Sequence, residues 1–235
     1  EWILSLWKKE YGEEITEKMA ADFQKEKPIT IRCCMNRVTP EVLKEKLEAE
    51  GAKVEAHPYL PYAFYLSDYD YLEGLESFQE GLFAVQDISS MFVGELADLK
   101  AGDHVIDVCA APGGKSLHIG DKMEGFGTVD ARDISQYKVN LIEENIQRLN
   151  SINVQAKVQD ATIFDVESEC KADIVLADVP CSGYGVIGKK PEIKYRSTAQ
   201  KEEELVILQR TILDKAAEYV KPRGVLVFIT CTIAK

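Results

Sequence analysis

No stretch of about 18 apolar residues occurs in this sequence, so it offers no candidate membrane-spanning helix. No basic segment followed by an apolar one opens it, so no secretory leader is expected. No C-x-x-C pair occurs among the 6 cysteines. The 3 histidines, His57, His104 and His118, lack ligand spacing, so no metal centre is expected. Internal repeats and low-complexity tracts are missing too. Positive charge is scarce: 28 Lys and Arg stand against 40 Asp and Glu, a formal net charge of -12. Acidic residues exceed basic ones on both sides of residue 75. Phosphate binding rests on Lys and Arg, so any nucleic-acid contact is left to a local patch.

What is present is enough apolar material for a sizeable core. Apolar residues fill 46% of the 235 positions and charged ones 29%, which suits a soluble globular protein and excludes a disordered chain. The length fits one large domain, or an ordinary domain with a small one. The chain opens on Glu and closes in an interrupted strand, as an excerpt of a longer protein would. Cysteine usage suits a reduced, cytoplasmic protein, with Cys33, Cys34 and Cys170 expected as core thiols, and a monomer is expected.

Residues 1–25 read as helical, with Trp2, Ile3, Leu6 and Trp7 on one face and Ile15, Met19 and Phe23 continuing it. A strand over 29–35, a helix started by Thr39-Pro40 and stopped by Gly51, and short strands over 54–56 and 62–66 complete a small α+β unit of residues 1–75. From about residue 86 the pattern becomes strand-helix alternation, with strands expected over 104–109, 127–132, 154–158, 173–178 and 225–231. Helices are expected over 114–123, after Ser135, and over 202–220. Short apolar strands separated by helices imply a parallel sheet covered on both faces, which binds ligands at the carboxyl ends of its strands.

The first of those strands runs into Asp107-Val-Cys-Ala-Ala-Pro-Gly-Gly-Lys-Ser116. A P-loop would need glycine at position 109, which is Cys, and the dinucleotide fingerprint G-x-G-x-x-G is absent. The remaining option is the small-residue loop of methyltransferases that use S-adenosylmethionine, where backbone and helix N-terminus approach the cofactor closely. Acidic residues then recur at strand ends. Asp133 is placed for ribose hydroxyls, Asp160 for the adenine edge, and Asp178 ends the fourth strand, whose continuation is Asp178-Val-Pro-Cys-Ser-Gly183. The fifth strand ends in Thr230-Cys-Thr232. Neighbouring strands would open Cys181 and Cys231 onto one cleft. Two thiols and a carboxylate beside a methyl donor fit methylation of cytosine at C5: a thiolate adds to C6, C5 becomes nucleophilic, and a base removes the C5 proton before the thiol leaves. Asp178 would hold the N3/N4 edge of the base. The residues alone leave open which thiol attacks.

Four segments, Val85-Gln-Asp-Ile-Ser-Ser90, Asp107 to Lys115, Asp178 to Gly183 and Thr230 to Thr232, closely resemble the RNA (cytosine-5) methyltransferases of the RsmB/Sun type. They occur in the family's order across nearly all of residues 80–235. Ile31-Arg-Cys-Cys-Met-Asn36 resembles the family's small RNA-binding preface more weakly. The resemblance implies a Rossmann-like α/β class I methyltransferase sheet over 76–235, cut after its fifth strand, behind an α+β RNA-binding domain over 1–75. It implies S-adenosylmethionine as cofactor, held by Cys109, Ala110, Ala111, Pro112, Gly113, Gly114, Lys115, Asp133, Asp160 and Asp178. It makes Cys231 the nucleophile and Cys181 the group assisting release, beside the catalytic Asp178 that the chemistry of the base already suggests. The expected substrate is a cytosine of 16S ribosomal RNA, with tRNA the alternative. A catalytically inactive assembly factor of the same fold and a small-molecule methyltransferase are the competing readings. For RNA contact the candidates are Lys189, Lys190, Lys194 and Arg196, with Tyr184 and Tyr195 beside them and Arg32 and Arg37 extending the patch.

Overall fold

The computed structural model describes residues 2–25 and 27–233; of Arg196 only the backbone is described. Two helices, α1 (Trp2–Tyr11) and α2 (Glu13–Asp22), open the chain. The expected single helix is interrupted at Gly12, whose φ of 82° lies outside the helical range. After β1 (Ile29–Cys33), α3 (Pro40–Ala49) starts at Thr39, whose hydroxyl accepts from the Val42 N–H, with proline at the first helical position. Strands β2 (Lys53–Ala56) and β3 (Ala63–Ser67), the short helix α4 (Glu76–Gln79), strand β4 (Phe83–Val85) and α5 (Ile88–Leu96) follow.

The second half alternates β5 (His104–Asp107), α6 (Gly114–Lys122), β6 (Thr128–Asp133), α7 (Gln136–Leu149), β7 (Val154–Val158) and β8 (Ala172–Asp178). It ends with the one-turn helix α8 (Ile193–Arg196), α9 (Ala199–Tyr219) and β9 (Val220–Ile229). Ser135 caps α7 by accepting from the Lys138 N–H, as its type and position predict. Asn150 ends that helix in the left-handed region, φ 53°.

The chain forms two compact units. The larger comprises Pro28–Asp178 and Leu213–Phe228. It contains an antiparallel sheet ordered β2-β3-β1-β4, in which Ile31 pairs with Phe64 on one side and Val85 on the other. Leu43 and Leu47 of α3 are fully buried in the cluster that includes Ile31, Phe64 and Leu66. Its other sheet is ordered β7-β6-β5-β8-β9, with β5 to β8 paired in parallel. Val105, Ile106, Val175, Leu176 and Ala177 have no accessible surface, so successive residues are covered on both faces. Strand order reverses between β5 and β8, the place where open α/β sheets form a ligand crevice. This is the expected Rossmann-like α/β arrangement.

The smaller unit comprises Glu1–Lys27, Val179–Ile212 and Ile229–Lys235. Its core is Ile3, Trp7, Tyr184 and Ile187, with Trp2, Phe23 and Ile193 against them. In the larger unit, two of the strands differ from expectation. β4 spans three residues, too short for a period to register, and exists through its ladder to β1. β9 begins five residues early, since Pro222 and Gly224 lie within the strand; a Cβ at Gly224 would sit 2.7 Å from the Asp173 carbonyl oxygen. Cys231 therefore lies two residues beyond the strand instead of ending it. Among the described residues, no helix is long and apolar enough to cross a membrane and no cluster could hold a metal ion.

Candidate active site

In the larger unit, the segment between β5 and α6 is laced to neighbouring strand ends. The Val108 N–H donates to the Leu176 carbonyl at 3.0 Å and the Ala110 N–H to the Arg132 carbonyl at 2.8 Å. The Ala111 N–H donates to Asp133 Oδ2 at 2.9 Å. Gly113 has φ +101°, and a Cβ there would meet Ile142 and Leu117 at 3.2 Å; only glycine fits without strain. A Cβ built on Gly114 meets nothing within 4 Å, so the loop fronts open space where α6 begins. The first N–H groups of that helix have no preceding turn to accept them, which makes this open end a place for an electron-rich ligand group.

Asp107, Asp133 and Asp178 bond to residues of this loop and of the start of α6, whereas Asp160 follows β7 and bonds within its own turn. Asp107 is 1% exposed; it accepts from Ser116 Oγ at 2.6 Å, and burial pushes its carboxyl up to about 6. Asp133 accepts from the Ile134 N–H and pairs with Lys138 at 3.0 Å, so one of its oxygens is well occupied and the other takes the Ala111 N–H. Asp160 accepts from the N–H and hydroxyl of Thr162. Asp178 pairs with Lys115 at 2.6 Å, which joins the end of β8 to the start of α6. The structure thus brings Lys115 and Asp178 together and ties Asp133 to Ala111, as the sequence positions suggest.

The two thiols singled out by sequence lie together in the smaller unit. Their sulfurs are 3.0 Å apart although 50 residues separate them. The Cys231 N–H also donates to Cys181 Sγ at 3.2 Å. An N–H aimed at sulfur favours negative charge on Cys181. The surrounding lacing is tight. Ser182 and Thr232 hydroxyls are 2.6 Å apart, the Val179 N–H donates to Ile229, and the Gly185 N–H donates to the Cys231 carbonyl. A Cβ on Gly185 would approach that carbonyl oxygen to 2.8 Å. Burial pushes Cys33 and Cys109 up to about 12 and raises Cys34 as well, leaving those three protonated and inert.

Three expectations are corrected. Arg32 is not a surface cation: it is 1% exposed, ion-paired with Asp121 at 2.6 Å and donating to Gln86 at 2.8 Å. Thr30 to Cys33 are all buried, so β1 is covered on both faces, and burial of a charge demands such a partner. Tyr184 is fully buried between Trp2 and Trp7 and donates its phenol to Glu202, so it offers no ring to a base. Cys170 is exposed at a left-handed turn, φ 51°, instead of filling the core. Lys189, Lys190, Lys194 and Tyr195 are exposed as expected, and Tyr195 reaches 87%. The Arg196 side chain lies outside the described residues.

Residues overlooked in the sequence also shape the loop. Asp107 anchors its start, signalled only by an acid ending an otherwise apolar strand. Asn145 donates to the Pro112 carbonyl at 3.1 Å and accepts from Arg148 at 3.1 Å. Arg148 lies 4.1 Å over the Phe78 ring and donates to the Phe83 carbonyl at 3.0 Å. Polar residues on a helix face carry no such signal until the fold is known.

A Rossmann-like sheet with a small-residue loop after its first strand, and a cysteine pair on the loops that follow its last two, defines a class of protein. Residues 95–235 match the family described as 16S rRNA methyltransferase RsmB/F, and residues 1–69 match the ferredoxin-like domain of RsmF/B-like methyltransferases. The chain belongs to this RsmB/F family. It is 36% identical over 234 residues to the probable ribosomal RNA small subunit methyltransferase B of Bacillus subtilis, covering 99% of the chain and 52% of that relative. It is 36% identical over 155 residues to ribosomal RNA small subunit methyltransferase F of Escherichia coli, covering 65% of the chain and 32% of that relative. The crystal structure of PH0851 superposes with TM-score 0.94 at 31% identity, over 99% of the chain and 53% of that structure. NSun6 from Pyrococcus horikoshii shares the fold, with TM-score 0.84 at 23% identity over 98% of the chain and 82% of that structure. The chain spans about half the length of the methyltransferase B relatives it matches.

Proposed function

We propose that the protein of which this chain is part transfers a methyl group from S-adenosylmethionine to C5 of a cytosine in RNA, with 16S ribosomal RNA the target. The observation that carries the reading is the 3.0 Å approach of Cys181 and Cys231 sulfurs. A core thiol pair has no need of surface access, whereas Cys231 is exposed and Cys181 half-buried.

The cofactor fits the loop on structural grounds. Open space at Gly114, the unaccepted N–H groups opening α6 and the carboxylates of Asp133 and Asp178 offer donors and acceptors for a zwitterionic amino acid and a ribose. Cys109 to Lys115 would cradle the amino-acid portion, Asp133 a ribose hydroxyl through Oδ2, and Asp160 the adenine edge. Lys138 occupies the other Asp133 oxygen, so two ribose hydroxyls are held only when that lysine swings into solvent. The bound cofactor supplies an electrophilic methyl group on sulfonium.

The chain's own residues then act on the base. The Cys231 thiol loses its proton to solvent, and the thiolate adds to C6 of the cytosine. Asp178, two residues ahead of Pro180-Cys181 on the chain, holds the N3/N4 edge as charge builds there. Once C5 carries the methyl, Cys181 as thiolate takes the C5 proton, the C5–C6 double bond re-forms and the Cys231–C6 bond breaks, so that Cys231 leaves as thiolate. The base leaves its stack to expose C6 above the ring plane. Within this reading residues 1–75 form the RNA-binding preface and 76–235 the methyltransferase domain, in the cytoplasm and as a monomer. Lys189, Lys190, Lys194 and Arg196 contact phosphate.

Bisulfite sequencing of total RNA, from cells with and without the full-length gene, tests this. A single cytosine in 16S ribosomal RNA that loses protection on deletion supports the reading. Unchanged protection throughout refutes it, and loss in tRNA alone moves the target.

A further inference from the structure

Two thiols whose sulfurs lie 3.0 Å apart can do more than attack a base and assist its release. A disulfide bond is about 2.05 Å long, so a shift of roughly 1 Å would join them. The segments that carry them already run side by side. The Val179 N–H donates to the Ile229 carbonyl at 3.3 Å, the Ser182 and Thr232 hydroxyls are 2.6 Å apart, and the Gly185 N–H donates to the Cys231 carbonyl at 2.8 Å. Contacts before and after each cysteine thus hold the two sulfurs together without a covalent link.

Small oxidants can reach the pair. Cys231 is exposed, and half-buried Cys181 lines a cavity of about 260 Å³ with Ser182, Ile193 and Leu205. The two sulfurs also differ. The Cys231 N–H donates to Cys181 Sγ at 3.2 Å and favours its thiolate, the form that peroxides oxidise. An accessible thiolate with a second thiol beside it is the arrangement of reversible redox sensors, in which the second sulfur resolves the oxidised first. Cys33, Cys34 and Cys109 are buried deeply enough to stay protonated, which keeps them out of this chemistry.

We propose that Cys181 and Cys231 form a peroxide-sensitive switch: oxidation joins them in a disulfide that stops methyl transfer until a dithiol reductant separates them. The Cys181 thiolate attacks one oxygen of hydrogen peroxide, the O–O bond breaks, and sulfur is oxidised to sulfenic acid as hydroxide leaves. The Cys231 thiolate then attacks the Cys181 sulfur and the S–O bond breaks. Each departing hydroxide takes up a proton shed by one of the thiols, so two thiols and one peroxide give one disulfide and two waters. A dithiol reverses the bond through a mixed disulfide and is itself oxidised. The disulfide rests on the sulfur geometry alone. Its effect on catalysis rests on the RNA cytosine-5 methyltransfer reading above, in which the Cys231 sulfur must add to C6.

The test uses full-length protein, reduced, cleared of reductant and treated with hydrogen peroxide. Iodoacetamide in denaturant blocks the remaining thiols, and mass spectrometry maps the peptides without reduction. Methyl incorporation into 16S ribosomal RNA is measured in parallel. A linked Cys181–Cys231 peptide is expected as the main oxidation product, with Cys33, Cys34 and Cys109 alkylated. Activity is expected to fall about tenfold when about nine-tenths of the protein is linked, and dithiothreitol should restore it to within about twofold. In Cys181→Ser, peroxide should carry Cys231 to sulfinic acid, which dithiothreitol does not reverse.

Both cysteines alkylated after peroxide, or activity lost without the linked peptide, overturns the switch. A linked protein that methylates as well as the reduced one overturns it too, and so does Cys231 of Cys181→Ser found in a disulfide with another cysteine of the chain. If the linked peptide forms but the reduced protein methylates no RNA, the methyltransfer reading falls and the switch with it, while the disulfide stands.

Discussion

Asp107 shows how a single side chain sets the chemistry around it. It sits at the end of β5, accepts from Ser116 and the Cys109 N–H, and is held up to about 6 by burial. A folded-state value above the unfolded one means that the native protein binds more protons over that interval. Stability therefore falls as pH rises from about 4 to about 6 and stays reduced above it. Asp107→Asn keeps an acceptor for Ser116 and removes the titration. The stability difference between variant and wild type, from urea midpoints at a series of pH values, should grow across that window. The growth should amount to a few kcal/mol, given ~1.4 kcal/mol for each tenfold change in proton affinity between folded and unfolded chain. A difference that stays flat from pH 4 to 7 contradicts the account. Arg32 illustrates the opposite lesson. In the sequence it looks like a surface cation beside Arg37, yet its alternation within β1 turns it inward onto Asp121. Charge was visible in the letters; the partner 89 residues away was not.

At the scale of elements, α7 does more than cover the sheet. Asn145 donates both amide hydrogens, to Pro112 and Leu141, and its oxygen takes Arg148, which is itself fixed to Phe78 and Phe83. This chain of contacts holds the backbone of the loop between β5 and α6 at Pro112. Asn145→Asp sets a carboxylate oxygen against the Pro112 carbonyl, so the loop should shift. The expected result is a KM for S-adenosylmethionine raised about tenfold, the worth of one charge-affected hydrogen bond, with kcat within about twofold. Steady-state kinetics of the full-length enzyme check this, and an unchanged KM contradicts it. Strand-helix alternation, the capped helix starts and the small-residue loop were legible because they depend on local periodicity and backbone chemistry. The three-residue β4 and the early start of β9 were not, because pairing with a distant strand creates them. Asn145 escaped for the same reason: its role exists only when α7 lies over the loop.

For the molecule as a whole, a net charge of -12 sets the terms of any RNA contact. Like-charge repulsion confines binding to exposed cations such as Lys189, Lys190 and Lys194. Affinity should therefore fall steeply with salt. Replacing Lys189 and Lys190 by Ala should reduce the slope of log K against log salt by about 1 to 1.5, at roughly 0.7 per single-strand contact. Filter binding across a salt series measures it, and an unaltered slope removes these residues from the interface. The measurement that bears most directly on the central claim is capture of the covalent intermediate. Full-length Cys181→Ala, incubated with S-adenosylmethionine and 16S ribosomal RNA, should accumulate a denaturation-resistant protein–RNA adduct whose peptide map places the nucleotide on Cys231. The same RNA should give no adduct with Cys231→Ala. An adduct mapped to any other residue, or equal methylation by Cys231→Ala and wild type, contradicts the assignment of the sulfur pair.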